Sequence, residues 1–148
     1  MKNFKLNEKD ILSNQDWTFP TTTYDGPGRF NEIAKFCEEF DIKNPLIVTD
    51  SGSKDLPFIK KLIALLSKNN IKSDLFYNIS PNPRDDEISK GCDQFKNGSH
   101  DSIIAIGGGS AMDGGKSICL TVNSETPLWD FEFELSLIHI SEPTRPIH

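Results

Sequence analysis

Residues 102–110 read Ser102-Ile103-Ile104-Ala105-Ile106-Gly107-Gly108-Gly109-Ser110. An apolar run ends abruptly in three glycines, and a helical pattern follows through about Leu120. An apolar run without polar alternation suits a strand buried on both faces, as in a parallel sheet. Glycines between such a strand and a helix let the backbone approach a ligand closely, because β-carbons there would collide with it or forbid the required φ. The amide hydrogens of the loop and the first helical turn face outward unpaired, and the helix dipole adds positive character. The stretch therefore predicts an anion cradle for phosphate or pyrophosphate at the carboxyl end of a strand, where open α/β sheets bind ligands. Ser110 is expected to cap the helix, with Asp113 completing a capping box in which Asp replaces Glu.

Two familiar phosphate motifs fail here. A Walker loop needs Gly-x4-Gly-Lys-Ser/Thr; Gly115-Lys116-Ser117 supplies the end, but Ser110 stands at the first position and Lys116 falls inside the expected helix. The dinucleotide fingerprint GxGxxG fits Gly107 and Gly109 but meets Met112 third.

Upstream, the chain alternates strand and helix signals. Residues 17–24, WTFPTTTY, are β-branched and aromatic and predict a first strand, with Pro20 marking an edge or bulge. Asp25-Gly26-Pro27-Gly28 is a turn. Phe30, Ile33, Ala34, Cys37 and Phe40 recur at helical spacing, and Asn44-Pro45 stops that helix. Leu46-Ile47-Val48 predicts a buried strand ending at Thr49-Asp50-Ser51-Gly52. A second helix begins at Asp55, tolerates Pro57 in its first turn and presents Phe58, Ile59, Leu62, Ile63, Leu65 and Leu66. Residues 74–79, DLFYNI, predict a further strand, Ser80-Pro81-Asn82-Pro83 a rigid loop, and residues 84–96 a third helix. The order β-α-β-α-β-α-β-α has crossovers long enough for right-handed parallel connections. It predicts an open, mostly parallel α/β sheet with helices on both faces.

Two further residues stand at the expected carboxyl edge. Asp50 could accept hydrogen bonds from ribose hydroxyls and repel a 2′-phosphate, although by itself it is first an ordinary turn or cap aspartate. Asn82, pinned between two prolines, is a preset amide that by itself reads as a turn residue. Lys116 reads as a salt-bridge partner of Asp113 on one helical face. His100, between Ser99 and Asp101, is expected in solvent. The cysteines are expected as buried helix-face residues, not reactive thiols. No metal ligands are expected in this piece, and no nucleophile–base pair is legible.

The 148 residues suffice for about one domain. Sixteen Lys and Arg face 22 Asp and Glu, a net charge of −6, which disfavours nonspecific binding to a phosphate backbone and hence a nucleic-acid partner. No apolar run approaches the roughly 20 residues of a membrane span, and no signal-peptide pattern follows Met1. Three cysteines without a CxxC fit reduced thiols and a cytoplasmic location.

Residues 135–145, LSLIHISEPTR, match the forward translation of a common transposon-end sequencing adapter, codon for codon. Residues 135–148 are therefore expected to be a non-native tail, leaving residues 1–134 as a truncated dinucleotide-binding domain whose natural chain continued further. His139 and His148 fall in the tail, so His100 is the one histidine outside it.

Taken together, FPTTTYDGPGRF, PLIVTD, SPNP and IIAIGGGSAMDGGKSI resemble the iron-containing (group III) alcohol dehydrogenase family. The last looks like that family's GGGSxxDxxK signature, followed by a T-x-N segment and Trp129-Asp130-Phe131. The resemblance spans about residues 17–134, with the segments in register. It implies a two-domain dehydrogenase: a Rossmann-like N-terminal domain binding NAD, and a helical C-terminal domain, absent here, holding Fe2+. By matching position, Gly107, Gly108, Gly109 and Ser110 would hold the pyrophosphate. Asp50 would meet the adenosine ribose and favour NAD over NADP. Asn82 would contact the cofactor from the proline loop, and Asp113 would lie near the nicotinamide side. The implied substrate is a primary or secondary alcohol or its aldehyde, and the implied full-length assembly a homo-oligomer. Gly114-Gly115 departs from the family, which more often has helix formers there, so the first turns of that helix are expected to be loose or closely packed. The same fold also leaves open a glycerol-dehydrogenase-like or dehydroquinate-synthase-like enzyme, and length alone leaves open a stand-alone nucleotide-binding module.

Overall fold

The computed structural model describes residues 21–122 and 124. The expected tail at 135–148, Trp129-Asp130-Phe131 and the first half of the expected strand at 17–24 lie outside the described residues.

A parallel three-stranded sheet forms the centre, in the order β2-β1-β3. Its strands are β1 (Pro45–Asp50), β2 (Asp74–Ile79) and β3 (Ser102–Ala105). The helices are α1 (Ile33–Glu39), entered through a 3-10 turn at Arg29–Glu32, α2 (Pro57–Lys68), α3 (Asp85–Asn97) and α4 (Gly109–Val122). Among the described residues no helix is long and apolar enough to cross a membrane.

The continuous apolar run of β1 has its physical reason in this order. Pro45, Leu46, Ile47, Val48 and Thr49 are all buried, because β1 is flanked on both sides and covered on both faces. Leu46 and Val48 join Phe76, Ile79, Ile88, Cys92, Ile118 and Val122 in a core under α3 and α4. Ile47 faces the other way, with Cys37, Leu62 and Leu66 under α1 and α2. Helices thus cover both faces, as the sequence predicts.

Several expectations are corrected. Residues 21–24 do not form a strand. The Tyr24 ring instead packs on Phe36, with centroids 4.3 Å apart, and the Arg29 guanidinium lies 5.2 Å from the Tyr24 centroid. β-branched side chains favour a strand only where a neighbouring strand completes the ladder, and among the described residues Thr21–Thr23 have none. β3 is half-buried throughout, not fully buried, because among the described residues it is an edge strand. Phe40 projects into solvent beyond the end of α1. Cys37 and Cys92 are buried and burial pushes both thiols up from their ordinary value, but Cys119 is exposed on the outer face of α4.

His100 is also buried, not solvated. Its Nδ1 lies 3.0 Å from the Asn44 carbonyl, and its Nε2 3.3 Å from Asp74 Oδ2 without hydrogen-bond alignment. The polar neighbours Ser99 and Asp101 suggest a surface loop. The ring nevertheless packs against Gly98 at the C-terminal end of α3, with the Phe95 ring centroid 6.0 Å away.

Candidate functional site

The carboxyl ends of the strands carry the residues singled out above. β1 leads through α2 to β2 on one side, and β2 leads through α3 to β3 on the other. The strand order therefore reverses at β1, and a crevice at such a reversal is where open α/β sheets take ligands.

Asp50 ends β1. Its Oδ1 accepts the Gly52 N–H at 3.0 Å and its Oδ2 the Ser53 hydroxyl at 2.8 Å. The turn role is thus filled, while a carboxylate with about four lone-pair sites keeps capacity for further donors. Gly107 lies beside it with φ +139°, and a β-carbon there would sit 2.9 Å from Ala111 Cβ, 3.1 Å from Asp50 Oδ2 and 3.3 Å from Thr49 Oγ1. Only glycine fits that turn. Gly108 and Gly109 differ: β-carbons on them would meet no atom within 4 Å, so the loop opens outward. Met112 N–H turns back to the Gly108 carbonyl at 3.1 Å, so the amides before it precede the helical ladder.

Ser110 does not cap its helix as expected. It already lies within α4, and its hydroxyl donates to the Pro81 carbonyl at 2.7 Å. That contact brings the proline loop and the glycine turn together. Asn82 is exposed on the loop, and its carbonyl accepts the Ser80 hydroxyl at 2.8 Å. Asp113 is exposed on the first turns of α4. Asp50, Asn82, Gly107, Gly108, Gly109, Ser110 and Asp113 thus share one edge of the sheet.

The structure adds residues that the sequence reading did not select. Thr49 is buried, and its hydroxyl donates to the Ile106 carbonyl at 2.7 Å, fixing the chain just before Gly107. Glu87 is buried in the first turn of α3, and its Oε2 accepts the Arg84 N–H at 3.1 Å, the Ser80 N–H at 3.3 Å and the Ser80 hydroxyl at 3.1 Å. Burial alone would push the Glu87 carboxyl up. The hydrogen bonds from Arg84 and Ser80, with the Arg84 guanidinium 3.7 Å away, outweigh it and hold the carboxyl below the usual range. Glu at the third position of an acid-rich first turn was the available signal.

The doubled glycine of α4 resolves as close packing. β-carbons at Gly114 and Gly115 would stand 2.9 Å from Ile79 Cδ1 and 2.6 Å from Ala105 Cβ. The helix that carries the cradle is thereby pressed onto β2 and β3.

An open parallel sheet with a bare glycine turn at its reversal point defines a Rossmann-like, dehydrogenase-type α/β fold. The model of the iron-containing alcohol dehydrogenase family matches residues 20–147, and the chain belongs to that family. Alcohol dehydrogenase 4 of Schizosaccharomyces pombe is 34% identical over 113 residues, covering 76% of this chain and 27% of that protein. A 1,3-propanediol dehydrogenase of Klebsiella pneumoniae is 28% identical over 118 residues, covering 78% of this chain and 30% of that protein. Among solved structures, a sulfoacetaldehyde reductase from Bifidobacterium kashiwanohense in complex with NAD+ superimposes with a TM-score of 0.67 at 29% identity, over 80% of this chain and 31% of that one. A 1,3-propanediol oxidoreductase gives 0.69 at 29% identity, over 72% of this chain and 28% of that one. The chain thus spans less than a third of the length of these relatives.

Proposed function

We propose that residues 1–134 are the cofactor-binding part of a cytoplasmic, NAD-dependent, iron-containing alcohol dehydrogenase. The whole enzyme would transfer hydride between a primary or secondary alcohol and NAD. Residues 135–148 are read as the adapter-derived tail; the family match reaches residue 147, and the sequence of the uninterrupted gene decides between the two. The observation that carries the functional reading is the pair of open glycines, Gly108 and Gly109, at the start of α4, following Gly107, which itself lies against Asp50.

A dinucleotide would suit this edge, because nothing within 4 Å stands where β-carbons on Gly108 and Gly109 would lie, and the first amides of a helix are unpaired donors suited to an anion. The amides of Gly108, Gly109 and Ser110 would hold the diphosphate. Asp50 would accept from the adenosine ribose, Asn82 would line the proline side, and Asp113 would flank the nicotinamide end. When bound, NAD supplies the hydride acceptor. Among the described residues no group of three or more His, Cys, Asp and Glu side chains converges. These described residues do not fit an iron ion. The iron ligands, the alcohol site and the contacts of a homo-oligomer are assigned to the part of the enzyme beyond residue 134, with no nucleic-acid or membrane partner. The 148-residue chain is accordingly expected to bind NAD weakly and to turn over no alcohol alone.

The test is an NADH fluorescence titration of the chain and of Gly108→Val. The added side chain meets no protein atom near its β-carbon but enters the cradle, so affinity falls about tenfold or more while thermal stability holds. Equal affinity in the two proteins, or no binding by either, removes the cofactor reading.

A further inference from the structure

The wall facing the glycine turn is held in an unusual way. Ser80-Pro81-Asn82-Pro83 contains two residues without an N–H. Such a loop cannot hold itself by backbone hydrogen bonding and must be positioned from outside. Two side chains do this. Glu87 collects the N–H groups of Ser80 and Arg84, the residues that bracket the prolines, on a single buried oxygen. The Ser80 hydroxyl is shared between Glu87 Oε2 at 3.1 Å and the Asn82 carbonyl at 2.8 Å. From across the crevice, Ser110 donates to the Pro81 carbonyl.

We propose that Glu87 and Ser110 are positioning residues: Glu87 clamps both ends of the proline loop, Ser110 tethers its middle, and together they set the distance between that loop and the glycine turn. A serine hydroxyl has one hydrogen. While Pro81 accepts it, Ser110 cannot donate it to a phosphate, so the anion is left to backbone amides. Ser110 then acts on the cofactor through the loop. Glu87 bonds Ser80 and Arg84 at the two ends of the proline loop and acts the same way. The inference rests on the cofactor reading for its consequence, but the tether itself is measurable without any ligand.

The experiment is amide hydrogen exchange on the unliganded 148-residue chain, paired with NADH titration of the same samples. In Ser110→Ala the Ser80 and Arg84 amides, both hydrogen-bonded to Glu87, exchange about fivefold faster or more, and NADH binds about fivefold more weakly, as loss of one net hydrogen bond implies. Ser110→Thr, which keeps the hydroxyl, restores both. Glu87→Gln keeps the shape and an accepting oxygen but loses the negative charge that strengthens all three hydrogen bonds; it speeds exchange at Ser80 and Arg84. The double variant weakens NADH binding by less than the product of the single effects, because both act on one loop. Unchanged loop exchange in Ser110→Ala overturns the inference. So does weaker NADH binding with unchanged exchange, which would make Ser110 a direct anion ligand. Faster exchange in a chain whose wild type binds no NADH supports the tether while removing the cofactor reading.

Discussion

The Thr49 hydroxyl donates to the Ile106 carbonyl at 2.7 Å with no solvent exposure of Thr49, and Ile106 N–H returns to the Val48 carbonyl at 2.9 Å. Both backbone groups of the residue before Gly107 are thus spent on β1. The glycine turn begins from a fixed point, not from a frayed strand end. Thr49→Val keeps the shape and leaves the Ile106 carbonyl without its donor. It is expected to cost about 1–3 kcal/mol, read as a lower urea midpoint at unchanged slope, whereas Thr49→Ser retains most of the stability.

Gly107 and Gly109 answer differently to the same change. Gly107→Ala combines a positive φ of 139° with a β-carbon 2.9 Å from Ala111 Cβ, itself fixed to the backbone. A loss of about 1–3 kcal/mol is expected. Gly109→Ala meets open space at the first residue of α4 and is expected to gain about 0.4–1 kcal/mol through a less flexible unfolded chain. Thermal melts of the two variants should move in opposite directions; matching shifts would contradict the turn geometry.

Gly115 presents a contest of propensities. Alanine in a helix interior is favoured over glycine by about 1 kcal/mol. At this position its methyl would meet Ala105 Cβ at 2.6 Å. Overpacking of this kind costs about 1–3 kcal/mol, so Gly115→Ala is expected to destabilise on balance. Chemical denaturation checks the sign: a stabilised variant would mean that α4 can lift off β3 without cost.

Much of this architecture is legible in the residues because two signals are local. The apolar runs at 46–48 and 103–106 and the 74–79 segment mark the strands, and the glycines mark the loop where the sheet opens. Failures came where a distant partner decides. Residues 21–24 carry strand-forming side chains, yet a strand needs a neighbour, and Tyr24 found Phe36 instead. The composition around His100 says loop, but burial follows from the Asn44 carbonyl, 56 residues away in sequence. The Ser110 hydroxyl is a plausible cap by spacing; its actual acceptor is Pro81, 29 residues upstream. Glu87 shows a pattern that could have been read, since acids in a first helical turn return to the N-cap amide. Its second partner, Ser80, comes from the preceding loop and has no marker in spacing.

Asp50 allows the cofactor reading to be tested for preference. Its carboxylate is held by Gly52 and Ser53, so Asp50→Asn can keep the Gly52 N–H contact and exchange the direction of the Ser53 hydrogen bond. The fold is expected to survive while the negative charge disappears. A 2′-phosphate would then escape like-charge repulsion. Affinity for NADPH relative to NADH should rise about tenfold, equivalent to about 1.4 kcal/mol. Competition titrations with the two nucleotides measure the ratio, and an unmoved ratio would place the ribose away from β1.

At the opposite edge of the sheet, Asp101 contributes to the response to acid. Its Oδ2 accepts Lys43 N–H at 2.7 Å and Asn44 N–H at 3.0 Å, and its Oδ1 the Ser102 hydroxyl at 2.9 Å. Burial would push this carboxyl up, but these hydrogen bonds to the charged form outweigh it and hold the carboxyl below its ordinary value. The folded chain therefore binds fewer protons than the unfolded chain in the window between the two values, and stability rises with pH there. The contribution is fully present above the ordinary carboxylate range near pH 4 and is lost as pH falls through the lowered folded value. Asp101 is exposed, so solvent screening limits the effect to about 1 kcal/mol. Asp101→Asn retains an oxygen for the two amides but no titrating charge. Denaturant midpoints taken from pH 6 down to pH 2.5 should fall less steeply in this variant than in the parent. The two curves should approach each other at the acid end, because the parent has by then taken up the proton that distinguishes them. Parallel curves would assign the acid sensitivity to other carboxylates, of which Glu87, held low by Ser80 and Arg84, is the first to examine.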